Sequence, residues 1–331
     1  MTGNWLGARK TLHRHGVDFN LNYTADMAGN PTGGQSRGFE HSGSTNLGLL
    51  VDLERAVNLK GWHFGATAVW RYGHSLTNEH IDNEFNVQQN YGGQNLRLYS
   101  LYLQRDFDNG RHQIKIGRLG AGDEFLSRSQ YWNYMNNAID GNPVAIFRNH
   151  VGFSAYPNAT WGVFGRTRPL DEWEFSAGVY EVLSDKQTSM DAHGTDFSFK
   201  NGDGVNATAQ LGWRPAKGAI GNGMPGYYAV GVSVGWIKPY TLNNVDYYNR
   251  NIQLWFMLEQ MIWQPEGAKA DQGILPWLAI MVAPANERSE LPFFAAGGIS
   301  GKGVIPDRPD DIQRGLRLRK IHHPLRLHPP R

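Results

Sequence analysis

Cysteine is absent from the 331 residues. That excludes a disulfide scaffold, a thiolate zinc site and a cysteine nucleophile together, and it suits a protein exposed to an oxidising compartment. Long hydrophobic runs are also missing. The longest apolar stretches, Leu254 to Leu258 and Ile274 to Pro284, are short and interrupted, and the mean hydropathy is −0.50. No transmembrane helix fits, since one needs roughly 18 or more apolar residues. Charge is scarce and balanced, with charged residues at 19% and 32 basic against 30 acidic side chains. No footprint for nucleic acid follows from it. His13 and His15, or His322 and His323, are close in sequence but do not fall in a His-Glu-x-x-His spacing. The Gly-x-Ser-x-Gly spacing occurs at Gly34 to Gly38 and at Gly231 to Gly235, but the first lies between expected strands and the second inside one, not at the strand-to-helix turn of a nucleophile elbow, and no phosphate-binding loop is present. Asp123-Glu124 resembles an acid pair, but adjacent strand residues point to opposite faces. The expectation is therefore no enzyme, no metal and no cofactor. The first residues, Met1 to Leu6, lack the charged start and apolar core of a secretory leader. Taken alone this says cytosol; a trimmed or misplaced start gives the same appearance and fits the rest of the chain better.

What the chain has is glycine (40 residues) and aromatics (12%), arranged in alternating segments that read as strands. Val17 to Ala28 places Val17, Phe19, Leu21 and Tyr23 on one side and Asp18, Asn20, Asn22 and Thr24 on the other. Trp62–Tyr72 carries Trp62, Phe64, Ala66, Ala68, Trp70 and Tyr72 on one face, opposite His63, Thr67 and Arg71. Such an apolar stripe with aromatics at both ends is what interfacial girdles require. Thr45–Leu59 is expected to precede it across a tight Lys60-Gly61 turn, and Leu96–Phe107 to pair with Gln113–Leu119 across Asp108-Asn109-Gly110. Further expected strands are Val151–Tyr156, Trp161–Arg166, Trp173–Val182, Val205–Trp213, Tyr227–Ile237, Asn251–Trp263, Ile274–Val282 and Phe293–Gly303. Roughly 12–13 strands with short turns alternating with long connections have the rhythm of an all-β transmembrane antiparallel barrel. A soluble β-sandwich or propeller also alternates, though no fixed internal period supports blades. Leu76–Tyr91 and Leu126–Ile139 have helical character, and in a membrane barrel such long connections are candidates to fold inward and narrow the lumen.

Several stretches resemble the bacterial carbohydrate-selective porin (OprB) family. Near the start these are Trp5-Leu6-Gly7-Ala8-Arg9, Gly16-Val17-Asp18-Phe19, Asn22-Tyr23-Thr24, Gly29-Asn30-Pro31 and Gly33-Gly34. Ile81-Asp82-Asn83, Phe85-Asn86-Val87-Gln88-Gln89 and Tyr91-Gly92-Gly93 follow. Arg97-Leu98-Tyr99, Leu101-Tyr102-Leu103, Lys115-Ile116-Gly117-Arg118-Leu119, Gly122-Asp123-Glu124-Phe125, Trp161-Gly162-Val163 and Arg308-Pro309-Asp310-Asp311 extend it. The resemblance implies a monomeric barrel of about 16 strands in the cell outer membrane, surrounded by its lipid. The implied activity is facilitated diffusion of mono- or oligosaccharides such as glucose.

A sugar channel needs aromatic faces for the apolar C–H surface of the ring and charged or amide groups for its hydroxyls, all binding weakly enough to release. The candidates for the constriction are Arg71, Arg97 and Arg118; the acceptors Asp123, Glu124 and Glu259; Gln88, Asn90 and Tyr91 in the first long connection; and Trp132, Tyr134 and Trp255 as stacking faces. The resemblance matches Arg71 and Arg97 to basic positions of the family. The alternative for each arginine is a solvated charge on a loop or rim, and for each aromatic a girdle or lipid-facing position.

From Ile312 the character changes. Residues 312–331 hold Arg314, Arg317, Arg319, Lys320, Arg326 and Arg331, three histidines, three prolines and no acid. Such text cannot cross a bilayer as a strand. The expected division is a barrel over 1–311, incomplete at its C-terminal side, and a basic tail that reads as a frameshift or truncation product; with two unpaired edges in hydrocarbon, the expectation is that this chain by itself does not form a working pore. A genuine tail for anionic lipid or nucleic acid is the rival. Two other readings stay open: an outer-membrane barrel for polysaccharide, and a soluble all-β carbohydrate-binding protein.

Overall fold

The computed structural model of the chain describes residues 5–92, 94–150, 152–182, 192–198, 204–215, 220, 223–240, 248–267, 269, 271–285 and 289–304. The basic tail over 312–331 lies outside them. Twelve strands form a single antiparallel sheet in which each strand pairs with its neighbours in sequence. They are β1 Val17–Asn30, β2 Gly38–Asp52, β3 Trp62–Gly73, β4 Leu96–Phe107, β5 His112–Leu119, β6 Thr160–Thr167, β7 Trp173–Glu181, β8 Gly204–Trp213, β9 Gly226–Tyr240, β10 Tyr248–Gln260, β11 Gly273–Val282 and β12 Phe293–Lys302. Among the described residues β1 and β12 are not paired to each other, so the sheet is not closed.

The expected alternation in β3 holds residue by residue. His63, Val69 and Arg71 are buried, while Trp70 on the other phase is half exposed. At the short-turn end Trp173 stacks on Trp213 with ring centres 6.0 Å apart, and Trp213 leans on Tyr228. At the long-loop end Tyr23 stacks on Tyr72, which also meets Trp70. Two aromatic belts thus bracket an outward apolar band, the pattern of a sheet standing in a bilayer.

Strand β4 changes phase partway. Opposite β3, Thr67 faces Ser100 and the next residue, Ala68, faces Leu98, so Tyr99 is the extra residue of a bulge. The cause is in the sequence. Leu96 and Leu98 are outward on one parity and Leu101 and Leu103 on the other, and only an inserted residue keeps all four outside. The bulge brings Arg97, Tyr99, Ser100 and Tyr102 onto the inward face together; all four are buried. The β4–β5 turn runs through Asp108, Asn109 and Gly110, all with positive φ. Asp, Asn and Gly are the residues that tolerate this conformation.

Four expectations are corrected. Val151–Tyr156 is not a strand: residues 152–156 lie inside a long connection, where Phe153 and Ala155 are buried. Burial on both sides had produced the apparent alternation. Thr45–Leu59 is not one strand, because Asp52 accepts from the backbone N–H groups of Glu54 and Arg55 and starts a short helix, α2 (Leu53–Val57). The β2–β3 connection is therefore longer than a Lys60-Gly61 turn. Asp123 and Glu124 lie on a single helical turn, Ala121–Glu124, so the strand argument that sends them to opposite faces does not apply. The helical character expected in Leu76–Tyr91 and Leu126–Ile139 reduces to single turns, Thr77–Ile81 and Tyr131–Asn133.

Candidate functional site: a loop-filled barrel interior

The connection between β5 and β6, residues 120–159, folds against the inward face of the sheet. Its Phe125, Leu126, Tyr131, Ile146 and Phe153 form one buried cluster with Phe164 of β6, Tyr180 of β7, Trp255 and Met257 of β10, and Trp277 and Met281 of β11. Within two residues of this loop the sheet is seen to curve. Trp132 lines a cavity with Thr24 of β1, while the Tyr134 hydroxyl accepts from Trp277 Nε1 of β11 at 3.1 Å.

Polar ties fix the loop. Arg128 donates through Nε and Nη2 to the two carboxylate oxygens of Glu259 at 2.8 and 2.6 Å, with its guanidinium 3.8 Å from the Tyr227 ring centre. Asn149 donates to Gln253 Oε1 (2.8 Å) and to the Leu291 carbonyl (2.6 Å). His150 is fully buried, with Nε2 3.1 Å from both Asn206 Oδ1 and Ser233 Oγ. Burial lowers its pKa from the ordinary 6.5 to about 4, so the ring is neutral at physiological pH.

The connection between β3 and β4 is held from the other side. Arg71 donates to the carbonyls of Asn90 (2.6 Å), Gln89 (2.5 Å) and Tyr91 (3.0 Å). Gln88 accepts from Leu76 N–H at 2.8 Å and donates to the carbonyls of Asp26 and Glu40. Ser42 donates to Asn90 Oδ1. The two loops join by backbone bonds, Gln89 N–H to Met135 O and Asn137 N–H to Asn86 O, each 2.9 Å.

Between loops and wall lies a cavity of about 260 Å³ against β1 and β2, lined by Asp26, Ser44, Asn46, Asn90, Trp132, Asn133, Tyr134, Asp140 and Tyr156 among others. A second of about 50 Å³ lies against β3–β5, with Tyr99, Lys115, Asp123 and Glu124 in its wall. Asn46, Trp132 and Tyr156 line both. These three, one amide and two aromatic side chains, are the wall that the two spaces share. Trp132 packs on Gly141, whose φ of +81° and bare Cα suit the turn and the ring together. Lys115 donates to Glu124 at 2.5 Å.

Of the twelve sequence candidates, Asn90, Asp123, Glu124, Trp132 and Tyr134 line these cavities. Arg71, Gln88 and Tyr91 stand beside them as the clamp on the first loop, Tyr91 through its carbonyl. Arg97 is buried on β4 and donates to Asn158 in the second loop. Arg118 is no cavity group: it donates to the carbonyls of Asp196 (2.5 Å) and Ala159 (2.8 Å) and lies over the Phe197 ring. Its partner across β5–β4 is Leu101, on the outward phase. Trp255 donates to Gln210 Oε1 and is buried under the loop. Glu259 is consumed by Arg128. Asp26, Ser44, Asn46, Asn133 and Tyr156 were missed. The first three continue the polar faces of their strands, which is a readable signal; the last two depend on how the loop folds.

The carbohydrate-selective porin, OprB family matches residues 36–312. QuiX of Acinetobacter baylyi, named as a porin, is 30% identical over 70% of this chain. The chain spans about half, 54%, of the length of QuiX. Porin B of Pseudomonas aeruginosa is 26% identical over 97% of this chain and 73% of its own. The high-pH structure of OprB from Pseudomonas putida superposes with a TM-score of 0.82 at 21% identity, covering 93% of this chain and 76% of that one. The low-pH structure of the same protein gives 0.59. With its up-and-down sheet, its loop-filled interior and this match over most of its length, the chain belongs to the carbohydrate-selective porin (OprB) family.

Proposed function

We propose that the barrel is an outer-membrane channel for facilitated diffusion of mono- or oligosaccharides such as glucose, working as a monomer without covalent chemistry. The observation that carries this reading is that Asn46, Trp132 and Tyr156 are shared by two cavities whose walls mix aromatic surface with amide, hydroxyl and carboxylate groups. An aromatic face can stack on a pyranose ring while amide, hydroxyl and carboxylate groups replace the water on its hydroxyls. Contacts of this kind are individually weak, as conduction requires. The larger cavity lies just below the ~300–1,000 Å³ of drug-sized ligand sites, a scale suited to one sugar ring. The outward apolar band and its two aromatic belts support a bilayer setting. The constriction is then Asp26, Asn46, Asn90, Asp123, Glu124, Trp132 and Tyr156, with Arg71 and Arg97 placing the loops.

The test is uptake of radiolabelled glucose at micromolar concentration by bacteria lacking their own sugar porins and expressing this chain. Uptake above the empty vector, competed by unlabelled sugar, supports the channel. Background uptake, with the protein recovered from the outer membrane as a closed, heat-resistant barrel, refutes it.

A further inference from the structure

At the short-turn end of the inward face three guanidinium groups bond to two carboxylates and a fourth stands beside them. Arg166 of β6 faces Gln113 and Ser176 across the sheet, both buried, and so shares their inward phase. Arg168 donates to Glu174 through Nε (2.6 Å) and approaches it again through Nη2 (2.5 Å), and Arg214 Nη2 reaches the same oxygen at 3.5 Å. Arg128 takes both oxygens of Glu259, and Arg214 lies over Tyr227, which Arg128 also contacts. Neighbouring acids are already engaged: Asp106 accepts from Gln104 and Gln113, and Glu124 accepts from Lys115.

Donors therefore outnumber acceptors. Arg166 Nε and Arg214 Nη1 are buried with no hydrogen-bond partner among the described residues. Arg168 and Arg214 keep about a third of their side-chain surface open, whereas Glu174 is nearly covered. An excess of positive charge with open guanidinium edges is an arrangement that accepts an oxyanion, to which arginine presents paired donors.

We propose that this guanidinium cluster around Glu174 is a binding site for an anionic group, a carboxylate or phosphate carried by a small sugar, at the short-turn mouth of the interior. The site rests on the channel reading above. It extends the substrate class from neutral to acidic sugars, held by charge at one end while the shared aromatic wall serves the ring.

The experiment is calorimetric titration of the folded, detergent-solubilised chain at low salt with glucuronate, glucose and inorganic phosphate. Because it reads binding and not uptake, failed glucose transport and failed anion binding are separable. Glucuronate is expected to bind about tenfold tighter than glucose, with the advantage lost in 0.5 M salt. Phosphate is expected to compete with it. Glucuronate the tighter of the two identifies an acidic sugar, and phosphate the tighter identifies a phosphate-bearing one. The double variant Arg166→Gln/Arg214→Gln should lose the advantage. Should that variant not fold, Glu174→Gln decides. Removing the competing carboxylate should strengthen anion binding severalfold. Equal affinity for glucuronate and glucose, an advantage that survives in the arginine double variant, or unchanged binding in Glu174→Gln overturns the proposal.

Discussion

Arg128 and Glu259 meet through two parallel hydrogen bonds although they are 131 residues apart in the chain. One belongs to the loop after β5 and the other to β10, so this pair ties the interior loop to the far wall. Glu259 is almost wholly covered, and its partner is what makes that burial tolerable.

Replacing Arg128 by alanine leaves the Glu259 carboxylate buried and unpaired. The expected cost is about 3 kcal/mol, read as a lower midpoint in thermal unfolding in detergent. The double variant Arg128→Met/Glu259→Met should recover most of it, since both charges leave together. A single variant as stable as the parent would show that the pair does not hold the loop.

Arg71 is the corresponding clamp for the other loop, with three carbonyls on one guanidinium. Lysine keeps the charge but not the fork, so Arg71→Lys should release residues 86–91 at a cost of about 2 kcal/mol. Limited proteolysis is the measurement. New cleavage between Asn86 and Tyr91 in the variant is expected, and an unchanged digestion pattern would contradict the clamp.

Trp132 bears the stacking role. Trp132→Ala should weaken glucose binding up to about tenfold, the worth of one aromatic contact. Trp255→Phe, under the loop and away from both cavities, should leave affinity unchanged. Equal effects from the two would point to general loosening of the interior rather than to a stacking face.

His150 gives a pH dependence. Its folded pKa is lowered to about 4 by burial, so between pH 6.5 and 4 the unfolded chain binds the extra proton. Stability is therefore full above about pH 6.5 and falls progressively as pH drops toward 4, by about 3 kcal/mol if the ring stays neutral throughout. Thermal midpoints recorded from pH 7.5 to 4 should decline over that window, and His150→Gln should flatten the slope. A slope identical in the variant would assign the acid sensitivity elsewhere.

Much of the sheet was readable because a strand wet on one face and lipid-facing on the other alternates cleanly, as Trp62–Tyr72 does. The Asp108-Asn109-Gly110 turn was readable because few residues accept three positive φ values in a row. Reading failed where the alternation had another cause. Residues 152–156 alternate inside a packed loop, and Asp52 ends β2 by capping α2, a cue carried by one side chain. The site was half legible. Residue type pointed to Asn90, Asp123, Glu124, Trp132 and Tyr134. It also pointed to Arg118 and Trp255, which the fold spends on tying a loop outside and filling the space inside. Which charged or aromatic group stays open to a sugar depends on where residues 120–159 come to rest, and periodicity does not report that.

That loop also has a bearing on how the protein is made. It follows β5, yet the side chains it packs on come largely from β6 to β11, which are downstream of it. The later strands therefore close over apolar surface contributed by an earlier part of the chain, while strand number and stagger set the girth of the wall. Shortening the loop would widen the aperture and strip apolar cover from that wall.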